Sequence, residues 1–192
     1  MTELGNGLYN AIHHEAALPV REAELAMYRR AEGPEASSWG ISWSILTTQG
    51  NIAMSLTALG RFEEAVRMRQ EVYSGLLKLN GEEDESTLKA AMNHAASLVS
   101  LKRFEEFKSL MRKMIPVARR ALGESNDTTL RMRSSYANAL CEDTDATLDD
   151  LREAETTLEE TARTARRFLG CAHPDTQGIE KSLRDARAAL RA

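Results

Sequence analysis

The sequence predicts an all-α fold: a right-handed α-solenoid in which helix pairs of about 42 residues stack on one another. Three observations point there. The first is composition. Hydrophobic residues make up 42% and charged residues 28%, enough apolar content for a folded core. Aromatics are only 5%, with 11 Gly and 4 Pro. Straight-chain residues lose little rotamer freedom in a helix, and β-sandwiches need β-branched runs and frequent turns that are scarce here. The second is spacing, with apolar residues recurring every three or four positions. The third is repetition.

Arg61-Phe62-Glu63-Glu64 recurs as Arg103-Phe104-Glu105-Glu106, a shift of 42. The same shift carries Asn51 to Asn93, Ala53 to Ala95, Leu56 to Leu98, Gly81 to Gly123 and Thr87-Leu88 to Thr129-Leu130. A further 42 carries Ala95 to Ala137 and Leu98 to Leu140. Leu122-Gly123 returns as Leu169-Gly170 after 47, which puts five extra residues in the turn near Cys141–Asp150. Gly33 precedes Gly81 by 48. A fixed offset at this many positions marks a repeat array, in which no helix pair buries its apolar stripe alone.

The array divides as follows. Residues 1–37 read as an N-terminal helical cap or partial repeat, with a helix expected over 20–32. Repeat 1 spans 38–85 and has helices over 38–59 and 62–79. Trp39 and Trp43 share a face of the first and should fill the first inter-repeat interface. Ala65, Met68, Val72, Leu76 and Leu79 stripe the second. Repeat 2 spans 86–126. Its first helix, 86–101, carries Leu88, Ala91, Ala95, Leu98 and Leu101. Its second, 104–122, carries Phe107, Leu110, Met114, Val117 and Ala121. Pro116 lacks a backbone donor and should kink or split that helix near residue 112. Phe107 stands where the other units have Ala65 and Ala154, so it should widen the packing. Repeat 3 spans 127–174, with helices over 127–141 and 148–169. Thr147 and Asp150 have capping-box spacing at the start of the latter. Residues 175–192 form a C-terminal capping helix. The whole reads as one domain.

Several functions are disfavoured. A net charge of −4 argues against a nucleic-acid partner, which calls for a basic surplus. No stretch approaches the roughly 20 apolar residues of a membrane helix, and the N-terminus shows no secretory signal. A soluble cytoplasmic protein is expected. His13-His14-Glu15 is a poor metal site, because neighbours on a helix point to different faces. Cys141 and Cys171 have no histidine partner in register and read as free thiols. His94 takes the core-facing slot of Ile52 and Tyr136 and should be a packed, hydrogen-bonded histidine. Phosphate loops, HExxH and nucleophile elbows are absent. No enzyme, no cofactor and no metal is expected.

Gly60-Arg61-Phe62-Glu63-Glu64-Ala65 after Ile52-Ala53, and Leu169-Gly170 followed by His173-Pro174-Asp175-Thr176, resemble tetratricopeptide repeats of the kinesin-light-chain kind. The resemblance covers about residues 20–190. Met68–Gly75, Ile115–Ser125 and Ala146–Gly170 also look like the kinesin-light-chain-like repeat proteins of unicellular algae. No long heptad segment of the sort that joins a motor's heavy chain is visible. The resemblance implies a non-catalytic scaffold whose first helices line a concave groove for a peptide or partner protein.

It places Asn51 and Met54 on the groove in the first unit, beside Thr47, Gly50 and Thr57. The second unit contributes Lys89 and Asn93, with Met92, Ala96 and Val99. The third contributes Arg131, Ser135 and Asn138, with Ser134 and Cys141. An amide offers both donor and acceptor to an extended peptide. Lys89 and Arg131, in equivalent places, favour an acidic partner. The rival reading is an architectural subunit of a larger assembly with no separate ligand.

Overall fold

The computed structural model describes the backbone of residues 3–31 and 39–191, with side chains of 13–31 and 40–191. Eight helices occupy these residues, and no strand occurs among them: α1 (Glu3–Ala31), α2 (Trp39–Ala58), α3 (Phe62–Asn80), α4 (Glu85–Ser100), α5 (Phe104–Leu122), α6 (Asp127–Glu142), α7 (Leu148–Leu169) and α8 (Pro174–Ala189). They form two compact units, residues 1–81 and 82–192.

In the first unit α2 packs against both α1 and α3. Leu18 and Leu25 of α1 meet Ile45, Ile52 and Leu56 of α2 and Ala65 of α3 in one buried cluster. The helix expected over 20–32 instead begins at Glu3 and runs through Pro19. Packing outweighs the missing donor. His14 Nδ1 lies 3.2 Å from Ser55 Oγ, and the Arg21 guanidinium donates to the Asn51 carbonyl at 2.8 Å and to the Ser55 hydroxyl. Trp43 is half-buried; the Trp39 side chain lies outside the described residues.

In the second unit each helix packs against the next, and α6 also touches α4 and α8. Ala95, Leu98, Ala137 and Leu140 are at most 2% exposed, like Ala53 in the first unit. His94 is buried as well. On α5, Met111 and Ala118 complete the buried face with Phe107, Met114 and Val117, while Leu110 is half-buried and Ala121 exposed. The expected break near residue 112 does not occur, and α5 continues through Pro116. Pro116 lies on the exposed side, flanked by buried Met114, Val117 and Ala118, so tertiary burial holds the helix across the lost hydrogen bond.

Each unit repeats its terminal chemistry. Before α4, α6 and α8, Asp84, Asn126 and His173 accept from backbone N–H groups two residues on. After α3, α5 and α7, Gly81, Gly123 and Gly170 hold φ of 85°, 89° and 87°, where only glycine sits without strain. The capping box forms as expected. Thr147 N donates to Asp150 at 2.9 Å, and Asp150 N donates to Thr147 Oγ1 at 3.1 Å. The acidic run before α4 is engaged throughout: Glu83 and Glu82 hold Arg120 at 2.8 and 3.4 Å, and Glu85 holds Lys89.

Candidate functional site

The first helices of repeats 2 and 3, α4 and α6, lie side by side in the second unit. Apolar positions at i, i+3 and i+4 turn one face of each toward the core. The opposite face then carries polar residues at the same register, one unit apart. Between the helices opens a cavity of about 450 Å³. Asn93, Arg131, Ser135 and Asn138 all line it, with Ser134 and Glu142. Its apolar surface comes from Met92, Val99, Phe107 and Met111, so polar groups ring a greasy floor.

The counterparts of Phe107 in the other repeats, Ala65 and Ala154, are buried, Ala65 in the cluster that joins α1, α2 and α3. At Phe107 a ring fills that place, itself only 1% exposed, and forms part of the cavity floor. Met111 and Glu142 join the lining without having been anticipated. The register carried the signal for Met111, whose neighbours one turn away are core residues.

The other expected residues lie elsewhere. Asn51 and Met54 belong to the first unit, both exposed on α2; Asn51 lends its carbonyl to Arg21. Lys89 is outside the cavity lining and pairs with Glu85 at 2.8 Å. Arg131 pairs with Asp127 at 3.6 Å. The two cations thus hold the same local partner one turn back on their own helices. Such exposed pairs contribute about 0–1 kcal/mol, so either cation can exchange its carboxylate for another.

Other polar groups of the unit are bound up in the scaffold. Lys108 of α5 is 8% exposed and bonds Asp143 at 3.0 Å, which is equally buried. The hydrogen bond from Lys108 holds the Asp143 carboxyl below its ordinary range. Arg133 of α6 holds Glu124 at 3.2 Å and Glu160 of α7 at 2.7 Å. Arg112 Nε donates to the Tyr136 hydroxyl at 2.9 Å, which donates to Glu153 at 2.7 Å, linking α5, α6 and α7. Burial, with that bond to Glu153, pushes the Tyr136 phenol up to about 12.

Cys141 and Cys171 are free thiols. Cys141 is half-buried, and burial with Glu142 and Asp185 pushes its pKa up. A nucleophilic thiolate needs the reverse environment. Among the described residues no group of three His, Cys, Asp or Glu could hold a metal ion.

The tetratricopeptide repeat family matches residues 45–85. No curated protein matches. Two crystal structures of kinesin-light-chain TPR-like repeats of nearly identical sequence, from Podosopora anserina, superpose with TM-scores of 0.76 and 0.74. Each is 18% identical, covers 96% of this chain and is itself covered to 84% and 85%. BtubC (BKLC) from P. vanneervenii superposes at 0.64 with 14% identity, over 94% of this chain and 74% of its own. The fold is an all-α, TPR-like solenoid of the kind seen in kinesin-light-chain-like proteins.

Proposed function

We propose that this chain, built on the tetratricopeptide-repeat fold, is a non-catalytic protein-interaction module that holds an extended peptide in the cavity between α4 and α6. Repeats of this fold generally mediate contacts between proteins. The observation that carries the reading is the convergence of Asn93, Arg131, Ser135 and Asn138 on one 450 Å³ cavity. The amides of Asn93 and Asn138 can pair with both N–H and C=O groups of a peptide backbone. Met92, Val99 and Phe107 accept an apolar side chain. Arg131 releases its exposed Asp127 partner for a ligand carboxylate, so an acidic peptide suits the site. Lys89, one turn before Asn93 on α4, would extend the cationic strip, and Asn51 and Met54 hold the corresponding register on α2 of the first unit.

The same reading treats residues 38–85, 86–126 and 127–174 as three repeats between terminal caps, and sets the protein in the cytoplasm. No membrane insertion or nucleic acid enters it. Among the described residues no helix is long and apolar enough to cross a membrane, and the net charge is −4.

The test is capture of partners from a lysate with mass spectrometry, then titration of a partner-derived peptide. Asn93→Ala with Asn138→Ala should weaken binding at least tenfold while helicity by circular dichroism stays the same, and Arg131→Glu should weaken an acidic peptide further. Unchanged affinity in both variants would place the site elsewhere.

A further inference from the structure

We infer that the first unit carries a second docking site, a cleft between α1 and α3 that takes an acidic amphipathic helix of a partner protein. This goes beyond the groove reading and rests on other residues. The cleft measures about 690 Å³. Its floor is apolar, with Leu25 of α1, Ile52 and Leu56 of α2 and Met68 of α3. Arg29 on α1 and Arg67 on α3 stand on opposite walls.

The chain contains its own control. Counting back from Gly33 and Gly123, Glu22 corresponds to Arg112; by the repeat shifts, Ile52 corresponds to Tyr136 and Glu64 to Glu153. In the second unit these positions close on themselves, because Arg112 and Glu153 both bond the Tyr136 hydroxyl. In the first unit the same places hold Glu22, Ile52 and Glu64. Glu64 is instead held by Arg61, Ile52 offers no hydroxyl to join its neighbours, and all three line the open cleft.

Charge chooses the occupant, because the lining sets Arg29, Arg30, Arg61 and Arg67 against Glu22, Glu64 and Glu71. Arg61 is engaged by Glu64 at 2.6 and 2.7 Å, and Glu71 accepts from Gln49 at 2.6 Å. Arg29 and Arg67 make no ion pair within 4.0 Å among the described residues. Arg67 attracts the Glu64 carboxylate only at longer range. An apolar floor between these two guanidinium groups complements an apolar stripe flanked by carboxylates. The α3 wall runs from Arg61 to Glu71, about 15 Å of helix, which matches a partner helix of about three turns.

The probe is a lactam-bridged 14-residue peptide with Leu at i, i+3, i+4 and i+7 and Glu on both flanks, titrated by fluorescence anisotropy against the full chain. A second peptide carries Lys in place of every Glu. The glutamate peptide should bind, and the lysine peptide at least tenfold more weakly. Arg29→Glu with Arg67→Glu should cost at least tenfold and, both being exposed, keep the fold. Glu22→Arg with Ile52→Tyr should close the cleft as in the second unit and abolish binding. Asn93→Ala with Asn138→Ala should leave it unchanged, which separates this site from the groove. No binding, equal binding of the two peptides, or loss only in the Asn93/Asn138 variant overturns the proposal. So does concentration-dependent dimerisation that Arg29→Glu with Arg67→Glu abolishes, since the occupant would then be a second copy. Displacement of the peptide by oleate, with no partner helix recovered by cleft-dependent capture, overturns it in favour of a lipid.

Discussion

Lys102 adopts φ of 56° at the place where Gly60, one repeat earlier, adopts 74°. Both residues sit in the turn joining a helix pair, and in both units the residue that follows closes it: Arg61 N donates to the Leu56 carbonyl at 2.8 Å and Arg103 N to Leu98 at 2.9 Å. The turn demands a left-handed residue, which costs a side-chain-bearing residue roughly 1–2 kcal/mol. Glycine avoids that strain but adds about 0.4–1 kcal/mol of unfolded-state freedom. Lys102→Gly should therefore stabilise the chain by up to about 1 kcal/mol, and Gly60→Ala should destabilise it by about 1 kcal/mol. Urea midpoints followed by circular dichroism decide this; a lower midpoint for Lys102→Gly would contradict the strain argument.

Tyr136 should ionise late. Its folded pKa of about 12 lies above the usual value of 10. The protonated phenol is favoured in the fold, so its contribution is complete below pH 10 and fades as pH rises toward 12. A spectrophotometric titration at the tyrosinate band should show one late step that Tyr136→Phe removes. At pH 7 that variant should lose about 0.5–1.5 kcal/mol, the worth of one net hydrogen bond.

The Lys108–Asp143 pair is buried on both sides. Asp143→Ala leaves the ammonium with only the exposed Glu105 and should cost about 3 kcal/mol. Lys108→Met combined with Asp143→Ala should recover most of that loss, since no charge is then stranded. The Asp143 carboxyl titrates below its ordinary 3.8. Its contribution is therefore present above about pH 4 and lost as pH falls further. Unfolding midpoints of the wild type should drop more steeply between pH 4 and 2 than those of Asp143→Asn. Parallel curves would show that the pair is not coupled to folding.

Ala95 and Ala137 are equivalent in sequence and both at most 1% exposed, yet the same substitution should act differently at each. Ala95 borders the cavity over Phe107, so Ala95→Leu has space to enter. Ala137 is fully enclosed, and Ala137→Leu should overpack it by roughly 1–3 kcal/mol. Equal losses in thermal unfolding would mean that the cavity does not relax around the new side chain.

The sequence by itself determined the helices and their punctuation. Apolar spacing, glycine at the left-handed turns and capping residues such as Thr147 act within a few residues of the chain, so local chemistry suffices to place them. It also marked Phe107 as a large ring in an alanine slot, whereas the burial of Lys108 beside Asp143, in the register of buried Val66, emerged only from the structure. Of the expected groove, Asn93, Arg131, Ser135 and Asn138 share one cavity, while Lys89 stands outside its lining. Tertiary structure alone decided that α1 runs through Pro19 and α5 through Pro116, because burial against neighbouring helices outweighs one missing hydrogen bond. It alone joined Arg112 to Tyr136 and Glu153 while leaving Glu22, Ile52 and Glu64 open. Those contacts depend on which side chains face each other across three helices, a distance at which periodicity holds no information.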